Sequence, residues 1–387
     1  SSSLEFKARV HHLADEASVI FFSLRTRDLL YKGDGDGPPF RAVVRVSYEA
    51  LSDWNARTLL DSASTLVRDA ADGQGGDHEL IGRMDLRRNE RSSFVLRITA
   101  HDLNRNTRST VMIDVDRANG SVRQDFLPME RDRELPYFDD HFGGPTDLRV
   151  HCPRYAGRTL MAAHYHQDHR LPSPVFTEQG ASGLDLTPDT TFMVRVDDHG
   201  DLLLELARPG CYHLRPDSTR SEGYSLFVLG PGHPYVADAE SMVPPLRYIT
   251  SMQEFDRISQ AGNVRQAVER FWQDAAGDRE RARAAIRAYY QRVESANRYF
   301  TAHVEGWRTD RGLVHIIFGT PTTIYRSARG ETWIYGEESN LMSTTFTFIR
   351  RSSPFSENDL VLERDPLLKG AWYRNVESWR NGRALQN

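Results

Sequence analysis

The hydrophobic period of this chain changes once, near residue 250, and that change limits the folds open to it. Before it, apolar residues alternate with polar ones in short runs, as in Phe40-Arg-Ala-Val-Val-Arg-Val-Ser-Tyr48. That is the pattern of a strand with one face in a core. After it, Ala282, Ala285, Ile286, Tyr289, Val293, Ala296, Phe300 and Val304 form one stripe at helical spacing, as on an amphipathic helix. The chain is therefore expected to be mainly β with a C-terminal α+β domain. Its 387 residues leave room for two to four domains of roughly 100–200 residues each.

Runs 4–10, 18–25, 40–48, 94–100, 110–116 and 121–126 read as strands. Turn-forming stretches at 33–39 and 72–76 separate them, with a hairpin signal at Asn119-Gly120. They predict a β-sandwich (Ig-like) module over 1–130. Runs 148–152, 158–165, 191–196, 202–206, 210–214 and 224–229 predict a second, smaller sandwich over 131–245, with Val243-Pro-Pro245 as a stiff linker. A helical domain with a small antiparallel sheet follows over 246–387. There Ser251 with Glu254 forms a capping box, Asn263 caps a second helix, and Asp278 starts the longest one. Gly306 is expected to end that helix in the left-handed conformation. Leu313-Val-His-Ile-Ile-Phe318 predicts a strand closed by the turn Gly319-Thr-Pro321, and strands at 331–335 and 344–350 follow. Trp372, Tyr373 and Trp379 predict a tail docked on something.

Lys and Arg number 49 against 54 Asp and Glu, so the net charge is -5 with the signs interspersed. A nucleic-acid binder shows a basic excess or stripe; the Arg-rich run 279–287 is instead a solvated helix face. No window approaches the roughly 18 consecutive apolar residues of a spanning helix. Cys152 and Cys211 fit neither a metal spacing nor a disulfide framework. A single bridge in an oxidising compartment and two small buried residues are both open. The start Ser1-Ser2-Ser3 suits a mature lipoprotein just after its lipidated cysteine, although a cloning boundary would look the same.

Phe271-Trp272, Ala284-Ala-Ile-Arg-Ala-Tyr-Tyr-Gln-Arg-Val293 with Ala296-Asn297 and Phe300, Gly306-Trp-Arg-Thr-Asp-Arg-Gly312, Gly319-Thr-Pro321 and Glu331-Thr-Trp-Ile-Tyr335 occur in that order. Together they resemble the GWxTD-domain family of Bacteroidota-type bacteria, over residues 251–350. The resemblance implies a fold and a cell-envelope location, but no reaction. The same order of elements is similar to the small lipoproteins of outer-membrane protein assembly, which points to the same compartment.

The signature and interaction residues are Gly306, Trp307, Thr309, Asp310, Arg311, Gly312, Gly319, Pro321, Glu331, Trp333 and Tyr335. Structural duties account for most of them. Glycine and proline turn the chain, Trp307 buries a large body at the bend, and Thr309 and Asp310 suit backbone N–H groups. Arg311, Arg326 and Arg329 are the partners considered for Asp310. The functional alternative makes Asp310, Arg311 and Glu331 a catalytic or ligand site, but the motif lacks a nucleophile beside a base.

A second string needs weighing. His164, His166, Asp168 and His169 match H-x-H-x-D-H, which resembles the zinc-binding string of the metallo-β-lactamase superfamily. Two metal ions held there would bring the pKa of a bridging water near neutrality, as in a zinc-dependent hydrolase. The context departs from that family. Prolines 172 and 174 stand where a helix should open, and His199, His213 and His233 lack matching settings. Chance clustering among 14 histidines is the better account, and no metal or cofactor is expected. A third reading is carbohydrate binding by exposed aromatics such as Trp54, Tyr137 and Tyr235. Gly33-Asp-Gly-Asp-Gly37 lacks the calcium-loop pattern, and no nucleophile elbow or phosphate loop is present.

The expected function is thus that of a non-enzymatic envelope accessory lipoprotein. It would bind outer-membrane or periplasmic partner proteins of an assembly or secretion complex, with no nucleic acid. Its membrane association would come from an N-terminal lipid anchor rather than a spanning helix.

Overall fold

Alternation along the N-terminal strands sends every second side chain into a shared core. A computed structural model describes residues 4–13, 17–33, 35, 37–72, 76–87, 92–117, 123–166, 170–177, 184–337, 340 and 342–383. It is mainly β, with a helical C-terminal region that carries a small sheet.

The first module contains β1 (Phe6–His12), β2 (Ser18–Arg25), β3 (Phe40–Leu51), β4 (Leu59–Ala71), β5 (Glu79–Leu86), β6 (Ser93–Asp102) and β7 (Thr107–Asp116). These form two antiparallel sheets, β1-β2-β5 and β4-β3-β6-β7. Ile20 and Phe22 of one sheet share a core with Val46, Tyr48 and Ile98 of the other, the layering of a sandwich. Of the run 121–126, residues 121 and 122 lie outside the described residues, and Arg123–Asp125 form one 3-10 turn instead of a strand. Its buried Asp125 accepts from Tyr155 and Arg154 of the next module. Asn119 and Gly120 lie outside the described residues.

The second module contains β8 (Leu127–Glu130), β9 (His141–Phe142), β10 (Thr146–His151), β11 (Thr159–Tyr165), β12 (Thr190–Arg195), β13 (Asp201–Leu206), β14 (Gly210–Arg215) and β15 (Tyr224–Val228). Sheets β13-β10-β8 and β12-β11-β14-β15-β9 enclose Leu148, Val150, Leu160, Leu204, Leu214 and Leu226. Cys152 and Cys211 are both buried and free, so the bridge is not formed.

The third module contains α1 (Ala239–Met242), α2 (Met252–Ser259), α3 (Val264–Ala276), α4 (Arg279–Phe300) and α5 (Asp310–Phe318). The sheet of β16 (Thr323–Ser327), β17 (Gly330–Tyr335), β18 (Thr344–Arg350) and β19 (Leu360–Leu362) follows, and α6 (Lys369–Arg380) closes the module. The caps are those the sequence predicts: Ser251 with Glu254, Asn263, and Asp278. The aromatic tail is α6, docked on its own module with Trp372 and Trp379 buried.

Three expectations change here. Residues 313–318 are helical, not a strand, because Thr309 caps a helix that includes them. This helix is buried nearly all round, so no amphipathic period marks it. The stripe on α4 ends at Phe300, and Gly306 opens a separate 3-10 turn without left-handed backbone. Val243-Pro-Pro245 is not a linker: Pro244–Tyr248 form a 3-10 turn whose Pro245 and Leu246 are buried.

The modules are tied to one another. Arg9 of β1 contacts Asp140 and Tyr224 of the second module. His141 Nε2 lies 2.9 Å from the Ala302 carbonyl, and Asn297 donates to the Pro234 carbonyl at 3.0 Å. Residues 170–177, between β11 and β12, run as a strap onto the third module, where Val175 is fully buried in the helical core. Among the described residues, no helix is long and apolar enough to cross a membrane.

Candidate functional site

The signature residues meet where α4, α5 and the small sheet join. Gly306 donates its N–H to Thr301 Oγ1 at 2.9 Å. It must be glycine for space, because a Cβ there would overlap the carbonyl of Ala296. Gly312 stacks on Gly306 in the same way, across the Gly306 carbonyl. Trp307 is buried, and Arg308 lies 4.2 Å over its ring. The Trp307 N–H donates to Asn297 Oδ1 at 3.1 Å, and its carbonyl accepts from Tyr248 at 2.7 Å. Thr309 closes the turn, accepting from the Gly312 N–H at 3.1 Å while donating to the Gly306 carbonyl at 2.8 Å.

Asp310 pairs with none of Arg311, Arg326 and Arg329. Its partner is Arg364, 54 residues on, at 2.6 and 3.1 Å, and it also accepts the Leu362 N–H at 2.7 Å. Both side chains are buried, and Arg364 also donates to the Ser173 carbonyl of the strap at 3.0 Å. One carboxylate thereby fixes the start of α5, the edge of β19 and, through Arg364, the strap.

Arg311 and Glu331 do come together, at 3.3 Å. Arg311 also donates to the Asn358 carbonyl at 2.9 Å and lies over the Phe300 ring. Burial pushes its guanidinium pKa down, against the upward pull of Glu331. Glu331 further accepts from Trp333 Nε1 at 2.8 Å and from Arg326 at 3.3 Å. Gly319 ends α5 with a φ of 85°, open to glycine at little cost. Tyr335 donates to the Gly319 carbonyl at 2.8 Å, and half-buried Pro321 leads into β16. Burial holds the His315 pKa down at about 4 and raises that of Tyr248.

The joint is thus a network of polar groups bonded to one another, in which Arg311 Nε and Arg364 Nε are left without a hydrogen-bond partner among the described residues. Asn297 belongs to the family motif, but the network's long-range members Arg364 and Asn358 were not legible from the sequence; each lies too far along the chain for any spacing rule to flag it.

The zinc string fares differently. Asp168 and His169 lie outside the described residues. His164 is buried with Nδ1 3.1 Å from Asp189 and Nε2 3.0 Å from the Pro209 carbonyl, so both ring nitrogens face oxygens. His166 stands on the same Asp189 carboxylate at 3.0 Å. Among the described residues, no three His, Cys, Asp or Glu side chains are grouped to hold a metal ion. Nor do the aromatics of the carbohydrate reading form a row. Trp54 is half-buried and donates to Asp114 in the first module. Tyr137 packs edge-on against Phe142, and Tyr235 is exposed beneath Arg298.

Residues 210–381 match the family model described as the GWxTD domain. The C-terminal part of this chain is a GWxTD domain. No curated protein matches the chain. The match begins at the first residue of β14, so the GWxTD domain takes in the last two strands of the second module together with the helices and the small sheet.

Beside the GWxTD joint runs a groove of about 860 Å³. One wall is the strap, with Leu171 and Phe176; the other is α6, with Tyr373 and Val376. Tyr248 and Leu313 line it as well, and both adjoin the joint: Tyr248 bonds to Trp307, and Leu313 lies in the first turn of α5.

Proposed function

We propose that this chain is a non-enzymatic accessory protein of the bacterial cell envelope that binds partner proteins of an outer-membrane assembly or secretion complex. Attachment would come from a lipid anchor ahead of the first module. The observation that carries the reading is where the GWxTD residues go: Trp307, Asp310, Arg311 and Glu331 are bonded into the joint and, through Arg364, to the strap. Residues spent on holding modules in fixed relation suit a scaffold whose work is done by its surfaces.

The test is affinity purification of the tagged full-length protein from gently solubilised membranes, followed by mass spectrometry. A stoichiometric envelope partner is the expected result. A protein that purifies alone from the soluble fraction would overturn the proposal.

A further inference from the structure

We infer that the groove between the strap and α6 takes an extended acidic peptide segment, anchored by one large apolar side chain, from a partner protein. This rests on the protein-binding reading above and names the site and the chemistry of what it takes. The walls supply the apolar part: Leu171 is 37% exposed and Tyr373 54% exposed, so both keep surface that a ligand would cover. Phe176 packs near Tyr373 and carries the Lys369 ammonium over its ring at 5.9 Å. Tyrosine, tryptophan and arginine are the residue types that concentrate binding energy at interfaces.

The charges supply the acidic part. Of the two carboxylates of the groove, Glu254 is held by Arg380 at 2.8 and 3.0 Å, while Glu377 accepts from the neutral Asn381 amide at 2.9 Å and keeps its charge. Two of the three arginines of the groove, Arg247 and Arg374, are not matched as Arg380 is, and they outnumber the one remaining charge of Glu377. Arg247 donates only to the backbone carbonyl of Thr250, and Arg374 has no carboxylate partner among the described residues. An apolar trough bordered by cations without carboxylates favours a ligand with the opposite sign. An extended peptide provides both, because alternate side chains reach the floor and the rim.

The experiment is selection of displayed random peptides on the immobilised full-length protein. Binding of the selected peptides is then measured to wild type, Arg374→Glu, Tyr373→Ala and Arg374→Lys. The two residues are exposed, so the fold survives these changes. The expected peptides combine Asp or Glu with one aromatic or leucine. They should lose about tenfold in affinity to Arg374→Glu, the size of one charge-assisted contact, lose about tenfold to Tyr373→Ala, the size of one aromatic contact at an interface, and keep their affinity with Arg374→Lys. No enrichment, peptides without acidic residues, or equal binding to Arg374→Glu would overturn the inference, as would binding to phosphatidylglycerol vesicles in place of peptides. A membrane partner that co-purifies equally with Arg374→Glu would remove the groove and leave the scaffold reading standing; the absence of any partner would remove the scaffold reading itself.

Discussion

Replacing Asp310 by Ala is the sharpest probe of the joint. The carboxylate holds Arg364 through two contacts of 2.6 and 3.1 Å and takes the Leu362 N–H at 2.7 Å. Side-chain exposures of 5% and 7% keep the pair out of water. Removing one member of a buried pair leaves a guanidinium without its counter-charge, a loss of about 3–5 kcal/mol. Asn at the same place keeps an acceptor for Leu362 and loses only the charge, so about 2 kcal/mol is expected. Five of the six tryptophans, all but Trp54, lie in the third module, so fluorescence during urea unfolding reads that module selectively. With an m-value of about 2 kcal/mol per molar, the midpoint should fall by about 2 M for Ala and about 1 M for Asn. Adding Arg364→Met to the Ala variant should restore about half of the loss, because the orphaned charge is removed too. A fall below about 0.5 M for Asp310→Ala, with an unchanged slope, would refute the assignment of the joint to this carboxylate.

Other outcomes follow from the same geometry. Gly306→Ala should destabilise the third module by about 3 kcal/mol through overlap with the Ala296 carbonyl. Gly262→Ala, where a Cβ would meet nothing within 4 Å, should unfold in urea like wild type. The Glu254 carboxyl is held down at about 2, first by Arg380. Its stabilisation is therefore complete above the ordinary carboxylate range near 4.3 and lost as pH falls toward 2. The midpoint difference between wild type and Glu254→Gln should accordingly be present at pH 6 and shrink by pH 3; a constant difference would exclude the pairing. Burial holds His213 and His315 neutral with pKa values of about 4. Stability should be full above pH 6.5 and fall by up to about 1.4 kcal/mol per pH unit per histidine between 6.5 and 4. His315→Gln should flatten that slope in the tryptophan signal, and a flat wild-type profile from pH 7.5 to 5.5 would contradict it.

Local chemistry in the sequence was enough for the helix starts: Ser251, Asn263 and Asp278 each bond to the backbone they were expected to cap. It was not enough for α5, where Val314, Ile316 and Ile317 read as a strand. A helix buried on every side loses the period that would identify it, and only Thr309 before it and Gly319 after it carried the signal. Strands β4 and β5 were passed over because Ser, Ala, Asp and Gly interrupt their apolar residues. At the joint the sequence located Gly306 but assigned it the wrong duty, a left-handed exit instead of a close approach to α4. The Asp310–Arg364 pair depends on tertiary folding across 54 residues, which no local pattern encodes.

The strap has a consequence for where this chain can be divided. The family match starts at residue 210, yet Val175 is inserted in the helical core and Ser173 caps Arg364. A fragment cut at that start would also part β14 from β11 within one five-stranded sheet. The unit that sequence similarity recognises is therefore smaller than the unit whose core is closed in this structure. Recombination at that point would pass on the helices with an open slot where Val175 belongs.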